Sequence, residues 1–478
     1  MGCINIKKYK NLIENIFLFL ISNLIPKLLT FLLIPLYTKY LSTEEYGTLE
    51  LISTTVSLLI PLITLNISDA LLRFLLDDRI ENKDVFNISF KIFIYDTIIS
   101  IIFLIIMLTI NPFNLDKIYS VFLSLQLVIN IFYNLCIVYL KGIEKVKKIV
   151  TASIINSILT FVTMFICLII FNQGILGYVI SVLIGPFFSS IYMFFSSKIY
   201  KNISFKVNVS LLKSMIKYSF PMIFSAIAWW INNSSDRYII TAFLGISISG
   251  IYSVSSKIPA ILKTFQNIFL QAWSISAIKE YDKNDSDGFI GKTFSVMNLF
   301  MILFCSIIML FNIIISKYMY SGEFFIAWKN VPPLLVSILF DSLGLFLGSI
   351  FYAAKDTKSL SVANISGAVI NIFLNLCLIK LFSAYGAAIA TFVSYLATYV
   401  IIITLARKHI NMKTNNFQNF IGHILIIMQM IFAYYGNKYA IIQVLILILI
   451  LLLYKKIFIL LINEIKNKLK KRLKNEKN

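Results

Sequence analysis

Residues 98–110 read Ile-Ile-Ser-Ile-Ile-Phe-Leu-Ile-Ile-Met-Leu-Thr-Ile, and residues 441–453 read Ile-Ile-Gln-Val-Leu-Ile-Leu-Ile-Leu-Ile-Leu-Leu-Leu. No ionisable residue interrupts either run. A helix needs about 20 apolar residues to cross roughly 30 Å of hydrocarbon. Backbone in lipid must satisfy its own hydrogen bonds, which leaves helices or closed barrels. A barrel strand alternates apolar and polar positions over about ten residues. Continuous runs are the opposite pattern, so these segments predict membrane-spanning helices. Working outward from them, about fourteen such segments fall near 13–38, 49–68, 86–110, 118–140, 149–171, 175–197, 215–240, 250–273, 290–315, 331–353, 360–380, 386–405, 418–435 and 439–462.

Composition agrees. Of 478 residues, 59% are hydrophobic, above the roughly 45–50% of soluble domains. Net charge is +21, from 43 basic and 22 acidic residues. In a soluble chain such an excess points to nucleic acid, but its distribution here argues against that partner. With the N-terminus inside, about 33 Lys and Arg fall on inner connections, about 7 on outer ones and about 3 within spans, as the positive-inside rule requires. The inner clusters include Lys141, Lys145, Lys147 and Lys148, then Lys198, Lys201, Lys206 and Lys213. Both termini are expected in the cytoplasm. The first segment contains Lys27 and lacks a small-residue cleavage site, so it reads as a span and not as a signal peptide. Met1-Gly2-Cys3 is not followed by the Ser or Thr that a lipidation start needs, because Ile6 stands there.

No connection is long enough to fold as a domain, which argues against a conventional enzyme. Five cysteines (Cys3, Cys136, Cys167, Cys305, Cys377) show no paired spacing, and His409 and His423 cannot cage a metal by themselves. No glycine-rich phosphate loop is present. No cofactor is expected, and energy is expected from a gradient, with H+ or Na+ as coupling ion, or from downstream use of the product.

Leu41-x5-Gly47 and Leu244-x5-Gly250 stand at equal spacing, and each follows a long span and opens the next. Six spans separate them. A six-span repeat keeps its orientation and predicts a pseudo-twofold axis along the membrane normal. The fold class expected is an all-α membrane protein with two six-helix lobes, 1–200 and 214–410, and two extra helices in 418–462. A basic cytoplasmic tail, 463–478, follows, with Ile465, Leu469 and Leu473 at four-residue steps.

Ionisable groups inside spans cost about 2.5–3.5 kcal/mol each on insertion scales, so each needs a reason. Lys27 lies deep in the first span, and Asn23, Lys27 and Thr30 share a helix face that Pro26 opens further. That stripe suits a wet cavity, or a buried pair with an acid. Lys257 and Lys263 lie in the eighth span on different faces. Asp69 and Arg73, four apart, predict a pair across one turn. Asp69–Arg73 and Asp236–Arg237 are candidates for gate latches or for solvated helix ends. Asp96 and Asp341 lie near mid-span, as coupling-ion sites or partners of lysines. Trp229, Trp230, Asn232 and Asn233 suit sugar binding or interfacial anchoring.

A family resemblance joins these residues. Asn23-x2-Pro26-Lys27, Pro35-Leu36-Tyr37-Thr38, Leu41-Ser42-x-x-Glu45-Tyr46-Gly47 and Asp69-Ala70-Leu71-x-Arg73-Phe74 resemble the opening of a Wzx-type oligosaccharide-lipid flippase. Tyr218-Ser219-Phe220-Pro221, Ser235-Asp236-Arg237-Tyr238, Gly250-Ile251-Tyr252-Ser253, Lys257-Ile258-Pro259 and Gln271-Ala272-Trp273 continue the match. That family belongs to the multidrug/oligosaccharidyl-lipid/polysaccharide exporter superfamily. The resemblance implies twelve core helices in two lobes, often with two more. It implies flipping of undecaprenyl-pyrophosphate-linked oligosaccharide across the bacterial inner membrane, for O-antigen, lipopolysaccharide, capsule or exopolysaccharide assembly. A glycan polymerase and a chain-length regulator are the protein partners it suggests, in a setting of membrane lipids. Lys27, Lys257 and Lys263 would then face the pyrophosphate in a cationic cavity. Two competing readings are an ion-coupled antiporter of drugs or metabolites on the same fold, and an integral-membrane polysaccharide polymerase or ligase. Mid-span lysines disfavour a cationic drug. The absence of a long outer loop in the sequence disfavours a polymerase.

Overall fold

The computed structural model describes residues 26–77, 79–110, 116–204, 206–354 and 356–459, and the regular structure in them is all helical. Asn23 and the tail 463–478 lie outside these residues. The first helix, α1, runs over 26–40. It is followed by α2 (Thr43–Ile63), α3 (Ile67–Leu75), α4 (Asn82–Thr109), α5 (Lys117–Gly142), α6 (Val146–Phe165), α7 (Gly174–Ser196), α8 (Val209–Leu244) and α9 (Ile246–Ser255). The series continues with α10 (Pro259–Lys279), α11 (Phe289–Leu310), α12 (Asn312–Met319), α13 (Val331–Ala353), α14 (Thr357–Ala406), α15 (Asn416–Tyr434) and α16 (Ala440–Leu453). Among the described residues, ten helical segments are long and apolar enough to cross a membrane. The chain is an all-α, multi-pass membrane protein.

One of the ten, α14, has 50 residues and would reach about 75 Å at 1.5 Å per residue. Ser383, at φ 56° and ψ −145°, breaks it into two span-length halves, where the sequence predicts a connection between 380 and 386. Helices α8, with 36 residues, and α10, with 21, are long enough to span but more polar. Reaching fourteen spans takes those two, the divided α14 and a first span that begins before residue 26.

Two expected spans are interrupted. The second ends at Ile63, and Leu65 and Asn66 take left-handed φ angles of 50° and 52°. Asp69 and Arg73 therefore sit on the separate short helix α3 instead of on the end of a continuous span. The eighth breaks at residues 256–258, because Pro259 opens α10 and has no amide hydrogen with which to continue a helix. Lys257 lies in that break. Backbone groups released at such breaks must be met by protein or water.

By internal contact the chain forms two compact units, Met1–Val254 with Tyr320–Phe324, and Ser255–Met319 with Phe325–Asn478. The lobe boundaries expected from the repeat concern kinship between segments and stay a proposal. In the first unit, Phe86, Leu135, Tyr139, Leu140, Ile199 and Met215 share one core. The connection between α7 and α8 is pinned to that core. Asn87 donates to the Lys206 carbonyl at 2.7 Å and accepts from the Ser204 amide at 2.9 Å. Asn202 donates to the Tyr139 hydroxyl at 2.6 Å. In the second unit, Trp273 stacks on Phe346 at 4.0 Å and donates to its carbonyl at 3.0 Å, which packs α10 on α13. Neutral amides join α11, α15 and α16. Asn298 donates to Asn419 at 3.1 Å and to the Tyr454 hydroxyl at 3.2 Å, and Gln429 exchanges two bonds with Ser306.

Candidate functional site

Helix α2 starts with a capping box. The Ser42 hydroxyl accepts from the Glu45 amide at 3.1 Å, and the Glu45 carboxylate accepts from the Ser42 amide at 2.7 Å. One turn further on, Gly47 meets Gly250 of α9. A Cβ on Gly47 would lie 2.4 Å from the Ile246 carbonyl oxygen, and one on Gly250 would lie 2.1 Å from that of Thr43. Thr43 and Ile246 each precede their glycine by four residues, so the contact reads the same from either helix. The two Leu-x5-Gly motifs thus cross backbone to backbone about a local twofold. Small residues permit such an approach between membrane helices, and any side chain at either glycine forces the helices apart.

Charge surrounds this crossing. Near the end of α8, Asp236 is 9% exposed and accepts from the Tyr252 hydroxyl at 2.5 Å. The Arg237 Nε donates to the Ser253 hydroxyl at 3.1 Å, and another guanidinium nitrogen reaches the Asn233 carbonyl at 3.4 Å. The Ser249 and Thr241 hydroxyls donate to the Arg237 carbonyl at 3.2 and 2.8 Å. Asp236, Glu50, Tyr252 and Tyr46 all act electrostatically on the guanidinium. The Tyr46 hydroxyl donates to Glu50 at 2.6 Å. Two acids and one arginine are thereby tied into α2, α8 and α9. Bonds to charged groups contribute about 1.5–3 kcal/mol each.

Rings and a short segment close the site. Tyr37 stacks on Tyr46 at 4.8 Å and 4°, and Tyr178 stands edge-on to both at 6.0 and 6.1 Å. Residues 320–324 lie across the crossing. Thr43 donates to Glu323 at 3.0 Å, the Ser321 amide donates to Thr38 at 3.3 Å, and the Tyr320 hydroxyl donates to the Val254 carbonyl at 3.2 Å. Trp230 pins α8 to α2 by donating to the Thr54 carbonyl at 2.9 Å and the Ser57 hydroxyl at 3.1 Å. The Tyr238 and Thr55 hydroxyls are bonded to each other.

Of the residues the sequence singles out, the structure gathers Asp236, Arg237, Trp230 and Asn233 at this place. Asn233 also donates to the Trp229 carbonyl at 2.8 Å. Asn232 is half-buried, and the Trp229 indole is exposed. Lys27 is exposed on α1 beside exposed Leu28 and Leu32, and Thr30 donates back to the Pro26 carbonyl at 2.8 Å. Asp69 accepts from Asn66 at 2.7 Å, and both Asp69 and Arg73 are exposed on α3. Asp96 is buried within α4, and its Oδ2 meets no hydrogen-bond partner among the described residues. In the second unit, Asp341 accepts from Gln266 at 2.8 Å and feels the charge of Lys263, while Lys257 is half-buried in the α9–α10 break. Glu50 and Tyr178 are not among the residues the sequence singles out, and Tyr37 enters there only as part of a family motif. Glu50 left a signal, an acid one turn after Tyr46 inside an apolar segment; the two tyrosines left none beyond their ring chemistry.

The polysaccharide biosynthesis protein family matches residues 12–275, more than half of the chain. The chain belongs to that family. Among solved structures it is similar to the lipid II flippase MurJ in an inward closed conformation, at 15% identity and TM-score 0.68, over 92% of this chain and 98% of that one. It is also similar to an inward-facing multidrug resistance MATE family transporter of the MOP superfamily, at 13% identity and TM-score 0.59, over 87% of this chain and 99% of that one. A MOP superfamily transporter from Pyrococcus furiosus matches at 12% identity and TM-score 0.52, over 82% and 95% of the two chains. These likenesses establish the fold of this polysaccharide biosynthesis family member. No curated protein matches it in sequence. The family match takes in Tyr46, Gly47, Asp236, Arg237, Gly250 and Tyr252, which lie far apart in sequence and together in the structure.

Proposed function

We propose that this protein flips polyprenyl-pyrophosphate-linked oligosaccharide units from the inner to the outer leaflet of a bacterial cytoplasmic membrane by alternating access. The undecaprenyl-linked cargo feeds O-antigen, capsule or exopolysaccharide assembly. The family match over residues 12–275 carries this reading, and the likeness in fold to a lipid II flippase supports it. Lys27, Lys257 and Lys263 are the cations for the pyrophosphate. Its two negative charges are costly to pass through hydrocarbon, and each cation at contact contributes up to about 4 kcal/mol at an effective dielectric near 20, before desolvation.

In this proposal the Gly47–Gly250 crossing is the outer closure. The positive-inside assignment puts the starts of α2 and α9 outside. The Arg237 network latches the crossing and releases it when cargo leaves. The sugars meet hydroxyls, amides and rings, with no covalent step.

The test is glycan export by the double variant Lys27→Ala with Lys257→Ala, checked for normal insertion and amount. Export is expected to fall to background; normal export would defeat the cationic mechanism. A multidrug antiporter is the second reading, favoured by the likeness to multidrug resistance transporters. Extrusion of a cationic dye by the wild-type protein in vesicles, without glycan flipping, would put that reading first.

A further inference from the structure

Four chain segments bring rings and ammonium groups together in the second unit. They are residues 328–329, the break in α14, the end of α15 and the turn before α16. Tyr385 and Tyr434 lie at 4.4 Å between ring centres. Tyr435 stands edge-on to Tyr434 at 5.5 Å and to Tyr439 at 5.6 Å. The Lys329 Nζ stands over the Trp328 ring at 5.9 Å and over the Tyr434 ring at 5.8 Å. Lys438 stands over Tyr439 at 5.6 Å.

The cluster is held in place from behind. Asn312 of α12 donates to the Trp328 carbonyl at 2.8 Å. Gly436 has φ 70°, and a Cβ there would lie 2.8 Å from Ile313 Cδ1 and 3.3 Å from the indole ring. Glycine is what lets the α15–α16 turn lie against Trp328. Tyr435 is 58% exposed and Lys438 is exposed too, while Lys329, Tyr434 and Tyr439 are half-buried, so the outer edge of the cluster is open to a ligand.

Interfacial tyrosines and tryptophans usually anchor singly in the headgroup region. These rings instead touch in series and carry two ammonium groups. The positive-inside assignment puts this end outside, where only about 7 basic residues fall in the whole chain and lysine is disfavoured. Two of those few are spent on one cluster. Flat ring faces receive the C–H faces of pyranoses, and ammonium groups receive carboxylate substituents.

We infer that this platform binds an acidic oligosaccharide, with sugar rings on Tyr434, Tyr435 and Tyr439 and uronate groups at Lys329 and Lys438. It rests on the reading that the chain delivers glycan to the outer face, and it names the place where the sugar part of the cargo lodges there.

The test uses the full-length protein in phosphatidylcholine nanodiscs, titrated calorimetrically with a tetrasaccharide of alternating glucuronic acid and N-acetylglucosamine. Saturable binding is expected, with neutral maltotetraose at least about tenfold weaker. Tyr435→Ala and Lys438→Gln are each expected to weaken acidic binding at least about fivefold, and Lys438→Arg to retain it within about twofold. Absence of saturable binding, or unchanged affinity in the alanine and glutamine variants, overturns the inference. So does full displacement by phosphatidylglycerol in the disc, which would make the rings lipid anchors. Flipping by the Lys27 and Lys257 variants is read separately. Its survival there sinks the transport mechanism and leaves the binding result standing on its own.

Discussion

Two helix junctions, one in each unit, are built with different chemistry. In the first, α2, α8 and α9 meet through Asp236, Arg237, Glu50 and tyrosines around a glycine crossing. In the second, α11, α15 and α16 meet through neutral groups: Asn298 with Asn419 and the Tyr454 hydroxyl, and Gln429 with Ser306. Interhelical hydrogen bonds in membranes contribute about 0.6 kcal/mol on average, enough for fixed packing. Charge placed between membrane helices is costly to desolvate. In the proposed mechanism, the charged junction is the contact that opens and re-forms, and the neutral one stays closed. The charged junction is also the one built on paired family motifs.

The largest effect that would break this comparison comes from bulk at the crossing. Gly47→Val and Gly250→Val are each expected to abolish export, because even a Cβ has no room there. Gly344→Ala in the second unit places its Cβ 3.5 Å from Ile402 Cδ1, an ordinary contact, and is expected to leave export within about twofold. Similar losses in both units, measured as export per inserted molecule, would erase the distinction.

Removing charge comes next. Arg237→Gln is expected to cost about 1.5–3 kcal/mol for each charged bond lost to Ser253 and Asn233, seen as lower thermal stability of the purified protein. Asn298→Ala should cost only about 0.6–1.7 kcal/mol and spare export by the folded fraction. Smaller again is Trp230→Phe, which removes donors to Thr54 and Ser57 and should cost about 0.5–1.5 kcal/mol per bond with partial loss of export.

The smallest effect lies at the start of α14 in the second unit, where Asp356 caps the helix. Ser359, then His409, hold the Asp356 carboxyl below the usual carboxylate range. A depressed folded value means the contribution is complete above the unfolded value, about 3.9, and is lost as pH falls through the lower folded value. Asp356→Asn is expected to flatten stability against pH in that acid window alone, as melting temperatures between pH 2 and 5 would record.

Much of the frame is legible in the sequence. The apolar runs mark the spans, and the connection near Ser383 stands where the hydrophobic run pauses; the orientation drawn from lysine placement stays an expectation. Asp236 and Arg237 stand out because charge inside a span is rare. The equal spacing of Leu41-x5-Gly47 and Leu244-x5-Gly250 is visible in the chain, but spacing carries no information on which helices touch, so their mutual crossing emerges only in three dimensions. The separation of α3 was hidden because the left-handed residues are Leu65 and Asn66, with no glycine there to announce the turn. Lys263 and Asp341 each look isolated along the chain, and only the packing of α10 on α13 brings them within range. Glu50 stands four residues after Tyr46 in an apolar segment, but only the folded helix shows the two bonded.

One measurement bears most directly on the crossing as a closure that must part. Cysteines replace Thr43 and Ile246 in a chain whose own cysteines are changed to alanine, a reducible cross-linker joins them, and glycan export is followed before and after reduction. The expected result is loss of export while the helices are joined and recovery once the link is cut; undiminished export with the link intact would contradict it.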